Sequence, residues 1–115
     1  MMKNVLAGIA VRDLAAARVF YSNLVGRPPD LEPMPILLEW KFPEGGVLQV
    51  FADEQGERAG KSSVTLVVAD LQAEKARLNL PGLESHNDRV DTLIVHDSEG
   101  NQIVLAQPKS DQVSQ

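Results

Sequence analysis

The chain has 115 residues, no cysteine and a formal charge of −5. That length suits one domain with a core of its own. The lack of cysteine excludes disulfides, zinc–thiolate centres and a thiol nucleophile, and the acidic balance argues against nucleic acid, whose phosphates need a basic surface. No cationic stretch followed by an apolar one opens the chain, and no apolar run approaches the roughly 20 residues of a membrane helix. The expectation is a cytoplasmic protein without a membrane partner.

Asn4–Val11 is apolar and partly β-branched, the pattern of a strand. Asp13 can cap a helix by accepting free N–H groups of its first turn, and Leu14, Ala17, Phe20 or Tyr21 and Leu24 share one helical stripe. Gly26 can end that helix in the left-handed conformation. Residues 27–35, with four prolines, predict a loop or an irregular edge strand. Ile36–Phe42 and Val47–Phe51 predict a hairpin closed by Pro43-Glu44-Gly45-Gly46, and the polar segment 52–61 a link.

The cycle then restarts. Ser63–Ala69 predicts a strand, Asp70 a cap, and Leu71–Leu80 a helix stopped by Pro81-Gly82. Leu83–His86, Asp91–His96 and Asn101–Ala106 predict three strands, the last two joined by Asp97-Ser98-Glu99-Gly100. Residues 108–115 form a polar tail. Val11-Arg12-Asp13-Leu14 is echoed by Val68-Ala69-Asp70-Leu71, and Glu44-Gly45-Gly46 by Glu99-Gly100-Asn101, at nearly one offset. A duplicated unit of about half the chain follows, with one copy over about 1–55 and the other over about 60–107. The fold class expected is α+β, two tandem βαβββ modules.

This order, with VRDLAAARVFYSNLVG in the first copy and HDSEGNQIVLAQ at the end, resembles the vicinal oxygen chelate superfamily, which includes glyoxalase I, extradiol dioxygenases and bleomycin-resistance proteins. The resemblance runs from Asn4 to about Gln107, although Ser98 stands where the family usually has proline. It implies a cup-shaped mixed sheet with helices on its outer face, and frequent homodimers with the ligand where two chains meet. In metal-dependent members four side chains, usually His, Gln or Glu, project into the cup from the first and last strands of each module. The two Val-x-Asp motifs map the first-strand positions to Leu6 and Ser63, and the two Glu-Gly turns map the last-strand positions to Gln49 and Val104. One amide and one hydroxyl cannot replace the anionic or imidazole ligands a divalent metal needs. Neither glyoxalase I nor extradiol dioxygenase activity, nor any metal or other cofactor, is expected.

Strand alternation extends the cup. With Gln49 inward, Val47 and Phe51 are inward too. Pairing Phe42 with Val47 then brings Trp40 and Leu38 to the same face, with Leu93 and Val95 at the matching places in the second copy. Thr65 and Val67 share the face of Ser63. The candidate ligand-binding set is Trp40, Gln49, Phe51, Ser63, Thr65, Leu38 and Val95, suited to a planar or apolar small molecule held by stacking and oriented by neutral polar groups. Trp40 and Phe51 are equally suited to a core or a dimer interface. Phe20 and Tyr21 fit helix–sheet packing, and Gly8 and Ala10 close strand approach. His96 is expected to point away from the cup and His86 to lie near a turn. Asp97 reads as a turn residue, and no catalytic residue is assigned.

The function expected is a metal-independent small-molecule binding protein of the glyoxalase/bleomycin-resistance type, possible cargo being an antibiotic, working as a homodimer. Two alternatives stand beside it. One is a lyase, isomerase or oxygenase with a non-standard site in the same cup; the other is a structural dimerisation module whose cup is filled.

Overall fold

The computed structural model of the chain describes residues 1–109, and the predicted tail lies outside them from residue 110 onward. Ten elements follow one another: β1 (Leu6–Val11), α1 (Leu14–Val25), β2 (Leu31–Met34), β3 (Leu37–Lys41), β4 (Val47–Ala52), β5 (Ser63–Val67), α2 (Leu71–Leu78), β6 (Leu83–His86), β7 (Val90–His96) and β8 (Gln102–Pro108). The βαβββ unit therefore occurs twice. Each copy builds a four-stranded mixed sheet, ordered β1-β4-β3-β2 and β5-β8-β7-β6. In each sheet the first strand, β1 or β5, is parallel to its neighbour, and the other pairs are antiparallel.

Both helices start and stop as their end residues dictate. The Asp13 carboxylate accepts from the Ala16 N–H at 3.0 Å, and Gly26 closes α1 at φ 91°. Asp70 accepts from the Ala73 N–H at 3.1 Å. The second helix ends earlier than expected, because Asn79 takes up the left-handed conformation at φ 50° and returns its N–H to the Lys75 carbonyl. Asn is one of the few residues besides Gly that tolerates this geometry. Pro108, expected in the tail, is the last residue of β8.

One core lies between the sheets and the helices. Ile9, Val11, Tyr21, Leu38, Trp40, Leu48 and Val50, with Leu71, Leu93, Val95 and Ile103 of the second copy, form a single buried cluster. The two modules meet along a seam where β1 passes β5. The strands run in opposite senses there, since Ala10 near the end of β1 donates its N–H to the Ser62 hydroxyl just before β5. Arg77 of α2 reaches across and donates to the Asn23 and Leu24 carbonyls at 2.7 Å each, so a cation satisfies the free acceptors at the C-terminus of α1.

The register of the two hairpins corrects the expected faces of β3 and β7. Lys41, not Phe42, pairs with Val47, and Trp40 pairs with Leu48. The cause is the loop. Gly45 donates to the Phe42 carbonyl and Phe42 to the Gly46 carbonyl, leaving three loop residues with Gly45 at φ 106°. This is the three-residue connection that ends in a left-handed glycine. Counting four residues there shifts the strand by one and reverses the face of every side chain on it. The β7–β8 hairpin repeats the geometry, with Gly100 at φ 98°.

Candidate functional site

The corrected register rebuilds the cup. Trp40, Leu38 and Val95, expected to line it, lie on the helix side and are buried. Trp40 donates its indole N–H to the Arg27 carbonyl at 3.0 Å and its ring lies 6.4 Å from that of Tyr21. It is a core residue and offers no stacking platform, and Leu93 likewise turns inward. Leu37, Glu39, Ile94 and His96 face the cup in their place, because they pair with cup-facing residues of β4 and β8. His96 is thus on the opposite face from the one expected.

The remaining expected residues keep their face. Gln49 pairs with Glu39 across the β3–β4 ladder and donates from Nε2 to its carboxylate at 2.5 Å. Ser63 is exposed and accepts from Gln102 Nε2 at 3.1 Å. Thr65 is exposed beside half-buried Val104, its partner in β8. Phe51 faces the cup but is covered on one side: the Arg58 guanidinium sits 5.0 Å from its ring centroid, held by Asp53 at 3.3 Å. Its other neighbour is Gly8, where a Cβ would come within 3.4 Å of the ring.

Leu6, Gln49, Ser63 and Val104, the four positions mapped from the resemblance, all face the cup. Leu6 and Val104 carry no donor atom. Among the described residues of the cup, no three His, Cys, Asp or Glu side chains converge as a metal would require. This donor set does not fit a divalent ion. What the cup offers is an apolar floor crossed by two amide-centred hydrogen bonds, with the Glu39 carboxylate and the His96 imidazole on its walls.

The two ends of the β1–β5 seam form a second region. At one end a buried polar network joins the modules. The Tyr21 hydroxyl donates to Asp97 at 2.7 Å, and burial together with that carboxylate pushes its pKa far up, so it stays a donor. Asn101, fully buried, donates from Nδ2 to Asp97 and to the Ala10 carbonyl, and accepts from the Ser62 N–H. Glu99 receives the Arg12 N–H on one oxygen at 2.7 Å and the Asp13 N–H on the other at 2.9 Å. At the opposite end the equivalent hairpin residues are Phe42, Glu44 and Gly46, and a cleft of about 770 Å³ opens instead.

The sequence reading also missed a surface network on β6 and β7. His86 sits between Asp91 at 2.8 Å and Glu84 at 2.6 Å, and Glu84 also pairs with Lys75 at 2.6 Å. The bond from Asp91, then that from Glu84, raises the pKa of His86 above its ordinary value. Lys75, then Gln72, holds Glu84 down at about 2. These are cross-strand and helix–strand contacts, so spacing along the chain does not reveal them.

No family model matches the chain, and no curated protein matches it. Solved structures do. A glyoxalase/bleomycin resistance protein from Catenulispora acidiphila is 26% identical, with a TM-score of 0.82 over 92% of this chain and 98% of that one. A lactoylglutathione lyase from Agrobacterium tumefaciens, at 18% identity, gives a TM-score of 0.75 over 93% and 94%. An antibiotic-binding protein from a Streptomyces species, at 20% identity, gives 0.74 over 95% and 98%. One relative of this architecture is named for catalysis and another for binding, so the architecture leaves the choice to the residues of the cup.

Proposed function

We propose, on the premise that the chain is built as a member of the vicinal oxygen chelate superfamily, that it binds a small organic molecule in its cup without a metal ion. The observation that carries this reading is the quartet Leu6, Gln49, Ser63 and Val104, which lies on the cup face at the mapped positions and keeps only Gln49 as a ligand type, with no anionic or imidazole donor. Apolar side chains would hold the body of the ligand, and Gln49, Ser63 and Thr65 would orient it through neutral hydrogen bonds. The antibiotic-binding relative supports a sequestering role, in which affinity rather than turnover is the output. Since Trp40 is buried on the far side, contacts from Leu37, Ile94 and Val104 replace the expected stacking on indole.

A second copy of the chain is the proposed lid. Leu6, Met34, Val67 and Leu83 expose between 48% and 69% of their surface, and all belong to strands whose pairing turns them toward the cup. Apolar patches of this kind mark association surfaces. Sedimentation should give a dimer, with Leu83→Lys shifting it toward monomer.

The test of the function is a thermal-shift and calorimetric screen of planar and apolar compounds, antibiotics included, against the metal-stripped protein. A hit should survive chelator and weaken about tenfold in Gln49→Leu, the loss of one or two oriented hydrogen bonds. A hit that requires added divalent ion, or that ignores Gln49→Leu and Thr65→Val alike, overturns the proposal.

A further inference from the structure

The cleft at the open end of the seam borders the cup and shares Val47, Thr65 and Val67 with it, but none of Leu6, Gln49, Ser63 and Val104 lines it. Its walls are Val5, Ala7, Phe42, Val47, Leu66 and Val68, with Thr65, Gln107 and Lys109 as polar points and Ala69 at one end. Its volume is that of a small-molecule pocket. Internal duplication supplies the control that shows what it lacks. At the closed end, the N–H groups of Arg12 and Asp13 grip both oxygens of the Glu99 carboxylate. The repeat places Ala69 and Asp70 at the same two backbone positions. Gln107 takes the next N–H, that of Leu71, at 2.8 Å. Among the described residues, no acceptor meets the N–H groups of Ala69 and Asp70. Glu44, the counterpart of Glu99, lines the cleft without reaching them.

The residues that fill the closed end are absent here as well. Asn101, whose amide bridges β1 and the segment before β5, is replaced by Gly46, where an added Cβ would meet nothing within 4 Å. Leu78 stands where the repeat has Tyr21, and Phe42 where it has Asp97. The polar lock has given way to an apolar chamber lined at one end by Ala69, with Asp70 next to it in the chain. We propose that this chamber is a second ligand site, which takes a carboxylic acid with an apolar body. The carboxylate would occupy the Ala69 and Asp70 N–H groups as Glu99 occupies those of Arg12 and Asp13, with Lys109 at the rim. The neighbouring Asp70 carboxylate is no bar, since Asp13 stands beside Glu99 in the same relation.

Octanoate, octanol and octylammonium are the probes, followed by amide NMR on the full chain. Octanoate should shift the Ala69 and Asp70 amides saturably, and octanol should bind about tenfold more weakly because its hydrogen bonds are not charge-assisted. Gly46→Trp fills the chamber from a position with open space and no left-handed backbone, so it should fold with an unchanged melting temperature and lose octanoate binding. Gln49→Leu, in the cup, should leave octanoate binding intact, which separates this site from the proposed function. The proposal is overturned if octanoate leaves both amides unmoved, if octylammonium binds as tightly as octanoate, or if Gly46→Trp still binds. Binding seen only after truncation beyond Lys109 would make the tail the occupant and would equally overturn it.

Discussion

The two hairpins at the ends of the seam share a backbone and differ in what they do with it. Asp97, Glu99 and Asn101 tie their hairpin to five hydrogen-bonded partners outside it, Ala10, Arg12, Asp13, Tyr21 and Ser62, whereas among the described residues Phe42, Glu44 and Gly46 make no hydrogen bond to the other module. Duplication makes two equivalent joints, and one polar lock suffices to hold the modules together. The other joint is then free to vary, and its spare donors and volume become material for recognition. The same division runs through the sheet, where the helix side is closed packing and the cup side is left open.

The largest effect is expected at the lock. Asn101→Ala removes a fully buried side chain with three hydrogen bonds and strands its partners, which should lower stability by about 3 kcal/mol in denaturant unfolding. Gly46→Ala, at the equivalent place, should change it by no more than about 0.5 kcal/mol. Comparable losses at both positions would break the comparison. Tyr21→Phe deprives Asp97 of one donor while keeping the ring packed, at a cost of about 1–2 kcal/mol. Glu99→Gln keeps shape but weakens two charge-assisted bonds at a half-exposed site, with about 0.5–1 kcal/mol expected.

The smallest effect concerns pH and belongs to the surface of β6 and β7. A His whose folded pKa is raised contributes stability that is complete below its ordinary 6.5 and is lost as pH rises through the folded value. Glu84 and Asp91, both held down, contribute above their ordinary values of 4.5 and 3.8 and lose that contribution as pH falls through the lowered ones. The melting temperature of His86→Gln should therefore fall furthest below that of the native chain between about pH 5 and 6.5, and converge with it in more alkaline solution. A difference that grows with pH would contradict the assignment of these contacts.

Much of the fold was legible because local chemistry and repetition agree. Asp13 and Asp70 mark both helix starts, Gly26 marks a stop, and the strand in the proline-rich stretch follows from the demand for symmetry. The β3 and β7 faces were misread because a hairpin loop was counted as four residues. The signal that corrects them is also in the sequence: Gly45 and Gly100 are the left-handed ends of three-residue loops, and one residue decides whether Trp40 or Glu39 reaches the cup. The Tyr21–Asp97–Asn101 lock was not legible, since its members are far apart in the chain and each has an ordinary local role, as packing residue or turn former. Comparing the copies position by position could have revealed it, because the polar set occurs in only one of them. The cleft was hidden for the complementary reason, being defined by side chains its copy does not have.

Amide hydrogen exchange at four residues tests the comparison most directly. The Arg12 and Asp13 N–H groups, bonded to Glu99, should exchange slowly, and those of Ala69 and Asp70, with no described acceptor, should exchange at rates near those of an unstructured chain. Equal protection at the two pairs would show that both ends of the seam are closed, and would contradict the account.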